Sequence, residues 1–362
     1  MAFDFPNAPS EGTVFGPPGG PIYVYTGGVW RMQGSGQVVT AETRSRIVNG
    51  AMQVSQQIGD AAGTGSTNFY ADEWQLNFVG QGTITGQRVQ VPTPNGSQNR
   101  LRVTVTAAEA TFGATDHLFW QQNIEGIRVA DFKWGTAAAR QVVLRFGFKA
   151  PAGTYSVSII NDAAARSYVA SFTIAAGQAN TDTEQVFVIP GDTTGVYPVG
   201  AVRCMILNIE MAPGSTYQGA AGWQAGAKYG TSASTNGGAT AGAVYELFDV
   251  GLYLDPNATG VPPPWQMPDE AAELLACQRY WQKGITAFAG TVTNATTTSI
   301  MGWFPEMRIG PAIATVNAGA TAFAATASSV NNVNTHQCQF YRAATATGGG
   351  AFSDTWIASA RM

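Results

Sequence analysis

Tyr217, Gln218, Trp223, Gln224 and Tyr229 fall in one short, Gly-rich stretch that carries almost no charge. Flat rings among amides suit one kind of chemistry. A sugar ring has an apolar face that stacks on indole or phenol, while its hydroxyls take hydrogen bonds from amide side chains. The same stretch also has a purely structural use, with its Trp plugging the end of a β-sandwich, and at the level of sequence both uses stay open.

Covalent chemistry has thinner support. The two histidines, His117 and His336, stand alone, with no partner at metal or triad spacing, and read as structural. There is no G-x-S-x-G, no H-E-x-x-H and no P-loop, and Gly34-Ser35-Gly36 and Gly63-Thr64-Gly65 are loops rather than phosphate cradles. No cofactor or metal is expected. A glycosidase needs only two carboxylates, and Glu109, Asp116, Glu125 and Asp131 lie near Trp120 and Trp134 in sequence. Turn and surface roles account for these acids, and core roles for the two Trp residues. Tyr70, Asp72 and Trp74 read as structural.

Composition narrows the class. The 362 residues allow two or three domains, and only 12% are charged, with a net charge of -4. Lys and Arg are scattered singly, which gives no footprint for nucleic acid or an anionic membrane. No apolar window is long enough to span a bilayer, and Met1 to Pro6 has no signal-peptide pattern. A weakly charged surface without an export signal points to a particle released by lysis. Cys204, Cys277 and Cys338 lie far apart, and their odd number leaves at least one free thiol, best read as a buried apolar group.

The elements that would position these residues are mostly strands. Thr13 to Phe15, Ile22 to Tyr25 and Val29 to Met32, with a tight loop at Pro17 to Gly20, make a small meander over residues 1–40. Such a unit is too small to hold a core alone and is expected to pack on a partner or on its own copies. Residues 41–258 form the central unit. Strands are expected at Leu101 to Thr106, Leu118 to Gln121, Val142 to Lys149, Gly153 to Asn161, Ser167 to Ile174, Glu184 to Ile189, Cys204 to Met211 and Tyr245 to Leu254. Alternation such as Tyr155, Val157 and Ile159 against Ser156 and Ser158 marks a two-layer sandwich, and about eight strands suggest a jelly roll. Residues 211–243 show no strand pattern and read as one long loop.

Residues 259–284 hold the stiff run Val261-Pro262-Pro263-Pro264-Trp265 and then a helix. Asp269 is its N-cap, Leu274, Leu275, Cys277 and Trp281 form its apolar face, Arg279 and Lys283 occupy its last turn, and Gly284 ends it. It reads as a hinge piece between two β regions. Residues 285–362 form a final small sandwich, with strands at Ile285 to Phe288, Ser299 to Trp303, Ile313 to Val316, Gln337 to Arg342 and Asp354 to Ala360. The fold class is therefore all-β: meander, jelly roll, one short linking helix, small C-terminal sandwich. No repeat of 20 to 50 residues is visible, which disfavours a β-helix spike.

Several of these segments resemble parts of tailed-bacteriophage tail fibre and spike proteins. Phe5 to Pro9 with Tyr23-Val24-Tyr25 and Gly27-Gly28-Val29-Trp30 is similar to a module found there near the virion. Arg46 to Gln56 with Phe69-Tyr70-Ala71-Asp72-Glu73-Trp74 resembles the opening of a carbohydrate-binding-module-like jelly roll. Phe146 to Ser158, Gly222-Trp223-Gln224-Ala225-Gly226, Phe248 to Leu254 and Cys277-Gln278-Arg279-Tyr280-Trp281 continue the likeness over residues 45–283, and Trp303 to Pro311 resembles the family's Pro-x-Met-Arg turn. The resemblance implies a receptor-binding virion protein, homotrimeric, attached to the particle through its N-terminal region and binding a host surface polysaccharide without catalysis. Two alternatives remain: a head-fibre, decoration or baseplate component that makes only protein contacts, and a polysaccharide depolymerase.

Overall fold

In a computed structural model, residues 5–16, 22–33, 40–80, 82–324 and 326–362 are described, and they form an almost entirely β architecture. The chain divides into two compact units, residues 1–40 and 41–362. The expected loops at Pro17 to Gly20 and Gly34 to Gly36 lie outside the described residues, as does the start of the chain through Asp4.

The first unit is the expected meander of β1 (Val14–Phe15), β2 (Ile22–Thr26) and β3 (Val29–Gln33). Its aromatics gather on one another. The Phe5 ring lies 4.9 Å from Tyr23 and 5.2 Å from both Phe15 and Trp30, and Tyr25 lies 5.4 Å from Trp30. Each of these rings is partly buried and none is fully so, as a small three-stranded sheet allows.

The second unit begins with the central sandwich. Its strands are β4 (Phe69–Ala71), β5 (Trp74–Val79), β6 (Thr83–Val89), β7 (Arg100–Ala107), β8 (His117–Glu125), β9 (Val142–Lys149), β10 (Gly153–Asn161), β11 (Arg166–Ile174), β12 (Thr183–Ile189), β13 (Arg203–Pro213), β14 (Gly222–Ala225) and β15 (Val244–Leu254). They pair antiparallel in a seven-stranded sheet, β14-β11-β10-β13-β8-β5-β4, and a five-stranded sheet, β12-β9-β15-β7-β6. Trp74, Trp120, Phe146, Phe148, Tyr155, Leu207 and Leu247 fill the space between the sheets. The strand count exceeds the expected eight by β4 and β14, which are short, by β6, whose alternation is weak, and by β5, whose Trp-Gln-Leu-Asn-Phe alternation is legible but lies outside the expected eight. Residues 211–243 are thus not one loop: β14 interrupts them, and the chain after it lies across the outer face of the larger sheet. There Ser234 and Thr231 bond the hydroxyls of Ser156 and Ser171, both at 3.0 Å. This cover buries Ser156, and Ser158 is buried as the acceptor of Asn208 Nδ2 at 3.2 Å, although alternation alone places both in water.

The Asn-Gly and Tyr-x-x-Asp-x-Trp segments staple the sandwich's opening. Asn49, at φ 55°, donates from its amide to the carbonyls of Val54 and Asp72, and Trp74 Nε1 donates to the Asn49 carbonyl. Gly50 follows because a Cβ there would stand 2.2 Å from the Val250 carbonyl oxygen.

The helix is Glu270–Gln278, shorter than its sequence predicts. Asp269 caps it as expected, accepting from the Ala272 N–H at 2.9 Å. Its C-terminal end is different. Trp281 and Gly284 belong to the next strand, so Gly284 ends nothing, and Arg279 is the C-cap. The apolar face is also narrower than expected. Cys277 is buried with Val48, Val54 and Tyr280, while Leu274 and Leu275 are 37% and 59% exposed. The helix is tied to the sandwich by Glu273, which accepts from the Asn49 N–H at 2.7 Å, and by Arg279, which pairs with the buried Glu125 at 2.7 Å.

Two three-stranded sheets make the C-terminal sandwich: β16 (Trp281–Val292), β21 (Gly348–Ser359) and β18 (Ala312–Thr321) in one, β17 (Thr297–Trp303), β20 (Gln337–Ala343) and β19 (Ser329–Asn331) in the other. Phe304, Met307, Cys338, Phe340 and Trp356 pack between them. The Pro-x-Met-Arg turn is a joint: Arg308 donates to the carbonyls of Ala360 and Ala201 at 2.5 and 2.6 Å. Arg361 completes the seam, its guanidinium 3.7 Å from the Phe69 ring centre and 3.4 Å from Glu73.

Candidate functional site

The five residues singled out in the sequence fall in two places. β14 is an edge strand on β11, with Trp223 opposite Tyr168. The indole meets Tyr168 at 5.4 Å and Trp134 at 5.2 Å, the Arg166 guanidinium lies 5.8 Å from the indole's ring centre, and Nε1 donates to the Pro190 carbonyl at 2.8 Å. Trp223 therefore seals the sandwich end. Gln224 closes its own loop, donating to the Ala220 carbonyl at 2.5 Å and accepting from the Ala220 N–H at 3.1 Å. Gln218 donates to the Pro213 carbonyl at 3.0 Å.

Tyr217 and Tyr229 form the second place. Their rings stack at 4.4 Å and 22°, with His117 edge-on to both at 5.7 and 6.0 Å and Phe119 5.0 Å from Tyr229. Burial pushes the Tyr229 phenol up to about 12, helped by Tyr217 and by Glu210. Burial likewise drives the fully enclosed Glu210 carboxyl well above its ordinary range and pushes His117 down. His117 is held by the Thr115 carbonyl at 3.2 Å and Asn77 at 3.3 Å, which matches its structural reading. Both rings of the tyrosine pair are half-buried, so each keeps some surface for stacking.

Trp134 stands beside a cleft of about 310 Å³ that Lys133, Thr136, Tyr197 and Cys204 also line. The indole itself is only 6% exposed. The wall is rigid because Asp192 collects Arg166 at 2.8 Å, the Tyr197 hydroxyl at 2.8 Å and the Gly195 N–H at 3.0 Å. Burial raises the Asp192 carboxyl, but these donors outweigh it and hold it at about 2.

The acids near these Trp residues are committed to structure. Glu125 is fully buried and takes Arg279 and the Tyr280 hydroxyl, the latter at 2.9 Å. Asp131 pairs with Arg46 at 2.5 Å, Asp116 accepts from the Gly113 N–H at 2.7 Å, and Glu109 accepts from the Thr111 N–H at 2.8 Å.

Sequence reasoning passed over Trp265, reading it as the end of a stiff proline run. It lines a cleft of about 310 Å³ between that run, the first turn of the helix and the Ser45 to Gly50 segment. Thr43, Ser45 and Arg128 face Gln266, Asp269 and Glu273 around it. The Trp265 Nε1 has no hydrogen-bond partner among the described residues. Burial raises the Glu273 carboxyl, against the pull of the Asn49 N–H and Arg128. A lone Trp after three prolines was the available signal, since rigid backbone is where a positioned aromatic loses least entropy.

No family model matches the chain, and no curated protein does. Among solved structures, the enzymatically active domain of bacteriophage CBA120 tailspike protein 4 aligns at 15% identity and TM-score 0.31, over 55% of this chain and 22% of that one. The carbohydrate-binding module TmCBM61, solved with β-1,4-galactotriose, aligns at 9% and 0.31, over 59% and 99%. The xylan-binding domain CBM22-1 of Paenibacillus barcinonensis Xyn10C aligns at 10% and 0.27, over 55% and 97%. The chain thus spans about a fifth of the tailspike domain, and these scores are too low to establish a shared fold.

Proposed function

We propose that this chain is a non-enzymatic fibre or spike protein of a tailed-phage-type particle, attached through residues 1–40 and binding a host surface glycan with its sandwiches. The carrying observation is the Trp265 cleft. An indole wall, two hydroxyls, an amide, a guanidinium and two carboxylates surround a space of about 310 Å³, large enough for a small saccharide segment. One guanidinium against two carboxylates gives the lining no excess of positive charge, so it favours a hydroxyl-rich ligand over an anionic one. Tyr217 and Tyr229 are a second stacking place on the same sandwich. The phage reading is supported by the motif resemblance and by the 12% charged content.

A homotrimer fits the C-terminal sheet β16-β21-β18, whose outer face leaves Ile285 73% and Val316 64% exposed. Three copies would multiply individually weak sugar contacts. One observation favours a depolymerase instead: the burial-raised Glu273 carboxyl in the cleft. The other carboxylate lining the cleft is Asp269, the N-cap of the same helix, and a retaining or inverting pair needs two carboxyl groups on either side of the bond, which supports the passive reading.

A glycan array probed with the purified protein and with Trp265→Ala tests the reading. Binding by the natural protein, weakened in the variant, is expected. No binding by either protein supports a purely structural virion component.

A further inference from the structure

The C-terminal sandwich has two outer faces of different chemistry. On β16-β21-β18 the outward rows are Ile285, Thr355, Val316 and Lys283, Ile357, Ala314, a largely aliphatic surface. On β17-β20-β19 the rows are Ser299, Tyr341, Ser329, then Met301, Gln339, Asn331, then Trp303 beside Gln337. The second face holds hydroxyls, amides and rings and no charge.

Trp303 is 67% exposed, the one aromatic side chain left mostly in water among the described residues. Its placement is fixed. Cys338 and Phe340 point into the core from the neighbouring strand, so a slip of one residue would bury the amides and expose Phe340. A protein that buries Trp74, Trp120, Trp281 and Trp356 forgoes the same burial here. The His336 ring lies alongside at 6.1 Å and 23°, which orients the indole without covering it. Asn332 donates to Gln339 Oε1 at 2.8 Å, which holds that amide in place.

We infer that this face is a flat platform for a neutral polysaccharide chain, with Trp303 stacking one sugar ring and Gln337, Gln339 and Tyr341 bonding the hydroxyls of its neighbours. Neighbours within a row stand about 4.8 Å apart and successive rows about 6.7 Å apart along the strands, spacings on the order of one hexose, so adjacent side chains on the face can meet adjacent sugars. The absence of cationic groups argues against a nucleic-acid strand, and the amides distinguish this face from the aliphatic one. The inference rests on the glycan-binding reading above and adds to it a contact on the C-terminal sandwich.

Affinity electrophoresis of the full chain through gels containing hydroxyethylcellulose, xylan, galactan, mannan or dextran, with alginate as a charged control, tests it. The natural protein should be retarded by at least one neutral polymer, and Trp303→Ala should weaken that retardation roughly tenfold, the size of one lost stacking contact. Gln339→Ala should weaken it less. Thermal unfolding unchanged in both variants separates a lost contact from a lost fold. Equal retardation of Trp303→Ala and the natural protein overturns the platform and leaves the glycan reading standing. No retardation of the natural protein by any polymer overturns both. A change in oligomeric state in Trp303→Ala, with retardation intact, makes the face an interface between copies and also overturns the platform.

Discussion

Replacing Glu73 with Gln should make the protein more stable above neutral pH and leave it unchanged in acid. Glu73 is 4% exposed and sits at φ 66°, where the C-terminal Arg361 reaches the central sandwich. Burial pushes its carboxyl from 4.5 to about 7, further than the pull of Arg361 brings it back, with Asp72 adding to the rise. The folded state therefore holds a proton that the unfolded state has released. Between these values stability falls as pH rises, by about 1.4 kcal/mol per unit, and is level again above pH 7, a total of about 3 kcal/mol. Gln mimics the protonated acid and has nothing to release. Equilibrium urea unfolding of both proteins at pH 4, 5, 6, 7 and 8 measures the difference, because all other titrations cancel between them. The two should coincide at pH 4 and diverge to about 3 kcal/mol in favour of Glu73→Gln by pH 8. A constant difference, or a natural protein that gains stability relative to the variant as pH rises, refutes the reasoning. It would mean that the Arg361 pair outweighs burial.

Arg279→Ala strands the fully buried Glu125 without its cation and should cost about 3–5 kcal/mol, read as a lower unfolding midpoint. Trp223→Ala should cost about 2–4 kcal/mol in stability, while Tyr217→Ala should lower glycan affinity with a smaller stability change. Calorimetry and titration on the two variants separate a plug from a contact. Cys204, Cys277 and Cys338 are all buried and unpaired, and burial raises Cys204 to about 12 and Cys338 to about 11. A thiol reagent such as dithionitrobenzoate should leave all three unmodified at pH 8 until denaturant is added.

Most of the β architecture was legible because it is written locally. Val142–Lys149 and Gly153–Asn161 match their expected bounds residue for residue, since alternation and a Gly turn mark both edges. Thr83–Val89 escaped notice because Thr, Gly, Gln and Arg leave Ile84 as its one side chain in the sandwich core, and its pairing with β7 supplies what propensity does not. The helix lost its last turn to a distant partner: Trp281 opposite Ser359 opens a long strand pair that outweighs local helix signals. Site residues were harder to read. A Trp in a polar loop looks the same in sequence whether its Nε1 meets a sugar or, as with Trp223, the Pro190 carbonyl. Trp303 carried a readable sign, since it shares parity with Ser299 and Met301 and lies opposite in phase to Ile300, which places it on the outward side of its strand.

The proposed role is passive recognition of a glycan. The most direct measurement incubates the full chain with a purified surface polysaccharide that retards it, and follows bound protein and newly formed reducing ends in the same sample. Saturable binding with no increase in reducing ends over hours is the predicted result. Reducing ends that accumulate in proportion to protein concentration would contradict it and transfer attention to Glu273 and the Trp265 cleft.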